Sequence, residues 1–228
     1  MNNSYLQIAS RRRSGGNFPS TGLVSYWNMD TDGSVPDSVG SNDGTITGAT
    51  YTSSGKIDGA YSFDGNDYVT VTDSVDFHTT NFSMSFWVKA ISIPASGSNH
   101  AQLIQKRWSP SYDVDDCFGF QVKDGVLDIY TYDGSYHSAG TVTIGFVGSW
   151  HHIVGTYDGT NVRFYYDGDL KKTTASGVDI ANNSRNLVFG YGPDNALDGS
   201  MDEIGFWNRA LTQTEITALY NSGDGLTY

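Results

Sequence analysis

The stretch Ala196-Leu-Asp-Gly-Ser-Met-Asp-Glu-Ile-Gly-Phe-Trp-Asn-Arg-Ala-Leu-Thr-Gln-Thr-Glu-Ile-Thr-Ala-Leu-Tyr220 reads as a turn, a strand and a short capped helix. Asp198-Gly199 is a turn pair, Met201 to Trp207 carries the strand residues Ile204, Phe206 and Trp207, and Asn208-Arg209 interrupts the extended pattern. Thr212 and Glu215 stand at the capping-box spacing, where each can satisfy an amide that a helix start leaves free, and Leu211 and Ile216 are placed for a hydrophobic staple. Ile216, Leu219 and Tyr220 share one helical face and Gly223 is a stop, so the helix needs an apolar surface to lie on. The rest of the chain has to supply it.

That surface is predicted to be β-sheet. Phe82, Met84, Phe86, Val88 and Ala90 alternate with Ser83, Ser85, Trp87 and Lys89, the pattern of a half-buried strand. Leu23, Ser25, Trp27 and Met29 lie on one face of a second alternating stretch, with Val24, Tyr26, Asn28 and Asp30 on the other, so a strand beginning at Gly22 should end near Asp30. Further strands are expected over residues 60–63, 68–71, 101–106, 118–122, 126–132, 141–144, 151–157, 162–166 and 186–190. Asp-Gly occurs ten times, and this pair tolerates the positive φ angles that two-residue hairpin turns demand. Many short strands, frequent turns and no βαβ alternation predict an all-β sandwich of two antiparallel sheets with one short C-terminal helix.

The 228 residues, 38% of them hydrophobic, suit one large domain and a real core. A net charge of −12 argues against nucleic acid as a partner and makes a cation the better guest. Of 25 acidic residues only Glu203 and Glu215 are glutamate, a bias toward aspartate that fits turns and metal loops better than helices. The single cysteine, Cys117, excludes an internal disulfide and a cysteine-based zinc cluster, and reads as a structural thiol. No apolar run is long enough for membrane insertion, and no apolar h-region for export is legible near the N-terminus. Residues 1–21 differ in composition from the domain expected over 22–228. Arg11, Arg12 and Arg13 are followed by a Ser-Gly-Gly linker, which reads either as a leader or as a basic docking arm for an acidic assembly.

Four stretches carry a family resemblance: Gly22 to Asp30 with Asp37 to Gly44, Ala60 to Val69, Trp150 to Gly168, and Leu197 to Ile204 with Asn208 to Leu211. In this order they resemble the laminin-G-like branch of the concanavalin A-like lectin/glucanase superfamily, over nearly all of the chain beyond residue 21. The resemblance implies a concanavalin A-like jelly-roll sandwich whose first and last strands are neighbours, which would bring Asp30 close to Asp202. Two adjacent carboxylates repel unless a cation or proton lies between them. The resemblance also implies a structural calcium near this point, and Asp30, Asp37, Asn42 and Asp202 are the expected ligands. The competing reading is that these aspartates serve turn geometry.

The superfamily includes glucanases, whose chemistry requires two carboxyl groups set across the scissile bond. The glutamate pattern Glu-x-Asp-x-x-Glu of those enzymes is missing from this sequence, and adjacent His151 and His152 would point to opposite sides of a strand. A noncatalytic binding role fits better. Trp108, Tyr112, Tyr130, Tyr132 and Tyr136 cluster beside Asp113, Asp115, Asp116 and Asp133, and flat rings beside carboxylates suit glycan recognition, with sheet packing as the alternative for each ring. The expected partner is thus a glycan or host-surface polysaccharide. The favoured setting is the surface of a phage virion, as an accessory protein of its head or tail, with the arm docked on capsid or tail proteins and the module possible as a homo-oligomer. The other is extracellular, as a glycan-binding module of a secreted bacterial protein, with a glycoside hydrolase as the remaining alternative.

Overall fold

The structure is a computed structural model that describes residues 17–92, 100–106, 117–123, 126–132, 136–138, 142–143, 145, 147–175, 183–190 and 195–228. In chain order the first strands are β1 (Leu23–Trp27), β2 (Gly44–Thr47), β3 (Thr50–Ile57), β4 (Gly59–Asp64), β5 (Tyr68–Val71) and the long β6 (Phe82–Ser92). They are followed by β7 (His100–Lys106), β8 (Phe118–Lys123), β9 (Val126–Tyr132), β10 (Tyr136–Ser138) and β11 (Val142–Thr143). The last third supplies β12 (His151–Tyr157), β13 (Asn161–Tyr166), β14 (Asp169–Ala175), β15 (Leu187–Phe189), β16 (Asn195–Ala196) and β17 (Asp198–Trp207), then helix α1 (Gln213–Tyr220).

Two sheets result. The first runs β14-β13-β12-β6-β17-β4-β3 with β1 also on β17, and the second runs β10-β9-β8-β7-β15-β5-β2 with β11 on β9 and β16 on β7. The central pairs are antiparallel, as the Asp-Gly turns predict. Leu23 lies opposite Trp207 and Trp27 opposite Ile204, so the first and last strands are neighbours. β1 stops at Trp27 because Met29 takes a left-handed φ of 58°, which breaks a strand. The core between the sheets is aromatic: Phe82 stacks on Phe118 at 4.4 Å, and Phe86 meets Phe120 edge-on at 5.2 Å.

Helix α1 finds its surface on the far side of the first sheet. The Thr212 hydroxyl accepts the Glu215 amide at 3.3 Å, and the Glu215 carboxylate accepts the Thr212 amide at 2.8 Å, completing the capping box. Ile216, Leu219 and Leu211 then pack with Val154, Tyr165 and Trp207 into a second apolar cluster, joined by Phe18 and Leu23. The Trp207 indole donates to the Pro19 carbonyl at 2.6 Å, which pins the entering chain to the same face. Ser83, Ser85 and Trp87 are therefore buried like their inward-facing neighbours, and β6 is covered on both faces instead of one. Replacing Thr212 by alanine should cost about 1 kcal/mol, a fall in melting temperature of roughly 2–4 °C that calorimetry would register.

Two departures from the sequence reading have simple causes. Asp198-Gly199 is the start of β17 and not a turn; the glycine is needed there because a side chain would run into the Lys89 backbone on β6. The strands β2, β3 and β14 carry many exposed, polar positions and lie at sheet edges, so no apolar alternation betrays them. Among the described residues no helix is long and apolar enough to cross a membrane.

Candidate functional site

Helix α1 and the entering chain cover the outer side of the first sheet, whereas no described α-helix covers the outer face of the second. Phe118, Phe120 and Val122 of β8 point into the core, so Gly119 and Gln121 point out. On β9 Leu127 and Ile129 point in, leaving Asp128 and Tyr130 outside. On β7 a register shift between Gln102 and Ile104 lets both Gln102 and Gln105 face outward. Cross-strand pairing then aligns two rows. One places Gln102 beside Gln121 beside Asp128; the other runs Ser138, Tyr130, Gly119, Gln105, Val188, Thr70 and Thr45 across the sheet.

The first row is a hydrogen-bonded chain. The Gln102 amide donates to Gln121 Oε1 at 3.0 Å, the Gln121 amide donates to Asp128 Oδ2 at 3.2 Å, and the Ser138 hydroxyl donates to Asp128 Oδ1 at 2.6 Å. Gln102 and Gln121 are 5% exposed and Asp128 3%, so these groups form the floor of the face. The rim at β2 and β5 is more open, with Thr45 exposed and Tyr68 and Thr70 partly so. Tyr68 alternates with core residues Val69 and Val71 and so stands on the outer face beside the rows.

Of the ring residues expected to stack on a ligand, Tyr130 lies on this face. It is 2% exposed and its ring lies across Gly119, where any side chain would overlap it, so it packs into the floor. Tyr132 and Tyr136 occupy opposed positions on β9 and β10. Trp108 and Tyr112, with Asp113, Asp115, Asp116, Asp133 and the arm residues Arg11, Arg12 and Arg13, lie outside the described residues. Sequence reasoning missed Gln102, Gln121, Asp128 and Tyr68, since strand pairing alone brings these distant positions onto one face.

The carboxylates among the expected calcium ligands accept main-chain amides. Asp37 accepts the amides of Tyr26 and Val39 at 3.0 Å each and of Asn42 at 3.1 Å. Burial pushes its carboxyl up, but these bonds together with that of Gly40 outweigh burial and hold it below the ordinary range. Asn42 donates to the Ser25 hydroxyl at 2.9 Å, and its carbonyl accepts the Trp27 indole at 2.8 Å, so the loop after β1 is tied down by its own side chains. Asp30 accepts the Gly59 amide at 2.8 Å. Asp202 accepts the amides of Lys56 at 2.8 Å, Ile57 at 3.0 Å and Glu203 at 2.8 Å. Among the described residues no three His, Cys, Asp or Glu side chains converge into a possible metal site.

Asp30 does face Asp202, whose carboxyl is raised by burial and by Glu203, with Asp30 adding to the effect. Glu203 is buried in turn and pushed up to about 8, chiefly by burial, while the Tyr26 hydroxyl donates to it. Glu215 is held down to about 2 by Arg209, whose guanidinium contacts it at 2.9 and 2.5 Å. Both glutamates thus have structural partners away from the outer face of the second sheet. The Ser85 hydroxyl meets His152 Nε2 at 2.7 Å, but Trp87 and Tyr220 stack over that buried imidazole, which burial and Lys56 depress to about 3.

Residues 63–217 match the profile of a laminin G family described as Concanavalin A-like lectin/glucanases superfamily. The chain belongs to this superfamily. Within it, the fold is similar to domain 4 of AbnA, a GH43 extracellular arabinanase from Geobacillus stearothermophilus, solved in complex with arabinotriose. The TM-score is 0.70 and the identity 21%, over 86% of this chain and 96% of that one. It is similar also to the binding domain of Paraclostridial Mosquitocidal Protein 1, with a TM-score of 0.73, 18% identity and 89% of this chain covered. A third is the binding domain of Botulinum Neurotoxin DC in complex with SialylT, at 0.68, 15% and 88%. The superfamily fold here spans about half of each toxin domain, 52% and 51% of their lengths. At these identities the likeness is one of fold. Comparison with curated proteins finds no match.

Proposed function

We propose that this chain is a noncatalytic carbohydrate-binding module that holds its ligand on the outer face of the second sheet. The observation that carries it is the row Gln102-Gln121-Asp128-Ser138, a pre-bonded polar floor on a face that the fold leaves free of its own helix. Amides, hydroxyls and a carboxylate held in place before binding match the hydroxyl groups of a sugar at little ordering cost. Tyr68 supplies a ring at the margin of the same face. Hydrolysis would require a second carboxyl group across the bond, and the two glutamates are engaged elsewhere, in the helix cap and in the buried contact with Tyr26.

An extracellular setting is supported by the likeness to a domain of an extracellular arabinanase and to toxin binding domains. None of these likenesses is to a virion protein, so the module of a secreted bacterial protein is the better-supported reading.

Titration calorimetry with arabinotriose and a panel of plant and bacterial polysaccharides is expected to show saturable binding without release of reducing ends. Tyr68→Ala should weaken it roughly tenfold, or ~1.4 kcal/mol. Sugar release on incubation would show an enzyme, and a panel with no binder would remove the carbohydrate reading.

A further inference from the structure

The polarity of the hydrogen-bonded row is fixed from one end. A carboxylate only accepts, so with Asp128 taking bonds from both Gln121 and Ser138, Gln121 must turn its amide nitrogen toward Asp128 and its oxygen toward Gln102. Gln102 is then obliged to donate its nitrogen to Gln121, which leaves Gln102 Oε1 at the open end. That oxygen is buried and has no hydrogen-bond partner. A buried carbonyl without a donor is unfavourable, and natural structures keep few of them. The defect lies on a side chain of the outer side of the second sheet, where the ligand is placed.

Building on the carbohydrate reading, we infer that Gln102 Oε1 is the acceptor for a ligand hydroxyl, and that the face selects uncharged glycans over sialylated, sulfated or uronic-acid ones. A hydroxyl donating to Gln102 would extend the chain of bonds through Gln121 to Asp128, each bond polarising the next. An anionic substituent meets the opposite situation. The open valence is an acceptor, the relay ends in a carboxylate, and both repel negative charge. The net charge of −12 over the whole chain adds to that repulsion. Selection against anionic sugars thus comes from leaving negative groups unpaired, which disfavours the wrong ligand.

The test is an array of matched neutral and acidic oligosaccharides, probed with the full chain, with arabinotriose among the neutral members. Capture is expected on neutral glycans, and on acidic counterparts at least tenfold more weakly. Gln102→Met, similar in shape but with neither donor nor acceptor, should lower affinity for the best neutral glycan about tenfold in a protein whose circular dichroism shows the native fold. Equal or preferred capture of acidic glycans would overturn the inference and leave the carbohydrate reading standing, as would a Gln102→Met protein that binds like the parent. Capture of no glycan would defeat the carbohydrate reading itself.

Discussion

Asp73→Ala is expected to lower the unfolding free energy by about 3–5 kcal/mol, because it leaves a buried ammonium without its counter-charge. Lys106, the last residue of β7, is 0% exposed, and its Nζ lies 2.5 Å from Asp73 Oδ1. The same ammonium donates to the carbonyls of Asn183 at 3.0 Å and Arg185 at 2.7 Å, while His78 contacts the Asp73 carboxylate at 3.0 Å. These bonds join the segment after β5, the end of β7 and the approach to β15, three neighbours in the second sheet. Carbonyls alone solvate the charge only partly, so the aspartate cannot be dispensed with while the lysine remains. For a chain of this size the loss corresponds to roughly 6–20 °C in melting temperature. The double variant Asp73→Ala/Lys106→Met should recover much of it, since a well-packed apolar replacement for an ion pair is often close to neutral. An equally unstable double variant would show that the pair acts through something other than buried charge.

No feature of the sequence announced that clamp. Lys106 stands at the end of an apolar strand and Asp73 in a turn-rich stretch, and only the pairing of β15 with both β5 and β7 brings them together. The capping box at Thr212 and the neighbouring placement of β1 and β17 were legible, the first because its contacts are three residues apart, the second through the family resemblance. Burial of Trp87 on the nominally outer side of β6 was not, since it depends on where α1 and the chain ends come to lie. The polar floor shows the same limit. Gln102, Gln121 and Asp128 are unremarkable one at a time, and alternation places each on a face without saying which strands share it. A register shift inside β7 further defeats simple counting, for it puts Gln102 and Gln105 on one side although they are three residues apart. Of the ring cluster read from sequence, Tyr130 is on the face and buried in its floor, while Tyr68, outside that cluster, stands at the margin.

Stability is expected to be greatest between about pH 4.5 and 6.5 and to fall above it, and Glu203→Gln should remove most of the alkaline fall. Glu203 has an ordinary value of 4.5 and is pushed up to about 8, mainly by burial. The folded state thus keeps a proton that the unfolded chain releases, so this contribution is complete below about 4.5 and is lost as the pH rises through 8. His152 works in the opposite sense. Its ordinary value is 6.5 and burial lowers it to about 3, so its contribution is complete above 6.5 and is lost as the pH falls toward 3. Glu215, held down to about 2, acts in the same direction as His152 at the acid end. Between 4.5 and 6.5 the slopes of Glu203 and His152 oppose each other; above 6.5 Glu203 acts without that balance, at no more than about 1.4 kcal/mol per pH unit. Asp202, also raised by burial and by Glu203, accepts three main-chain amides that suit its ionised form, so the proton held by the pair belongs on Glu203. A glutamine there keeps an oxygen for the Tyr26 hydroxyl and cannot ionise. Its melting temperature should match the parent near pH 5 and exceed it by several degrees at pH 8.5; parallel curves for the two proteins above pH 6.5 would assign the alkaline loss to another group. Because Glu203 joins β17 to Tyr26 of β1 and lies beneath the C-terminal segment at Leu226, alkaline weakening should begin at the roof of the first sheet and spare the floor on which Gln102 and Asp128 lie.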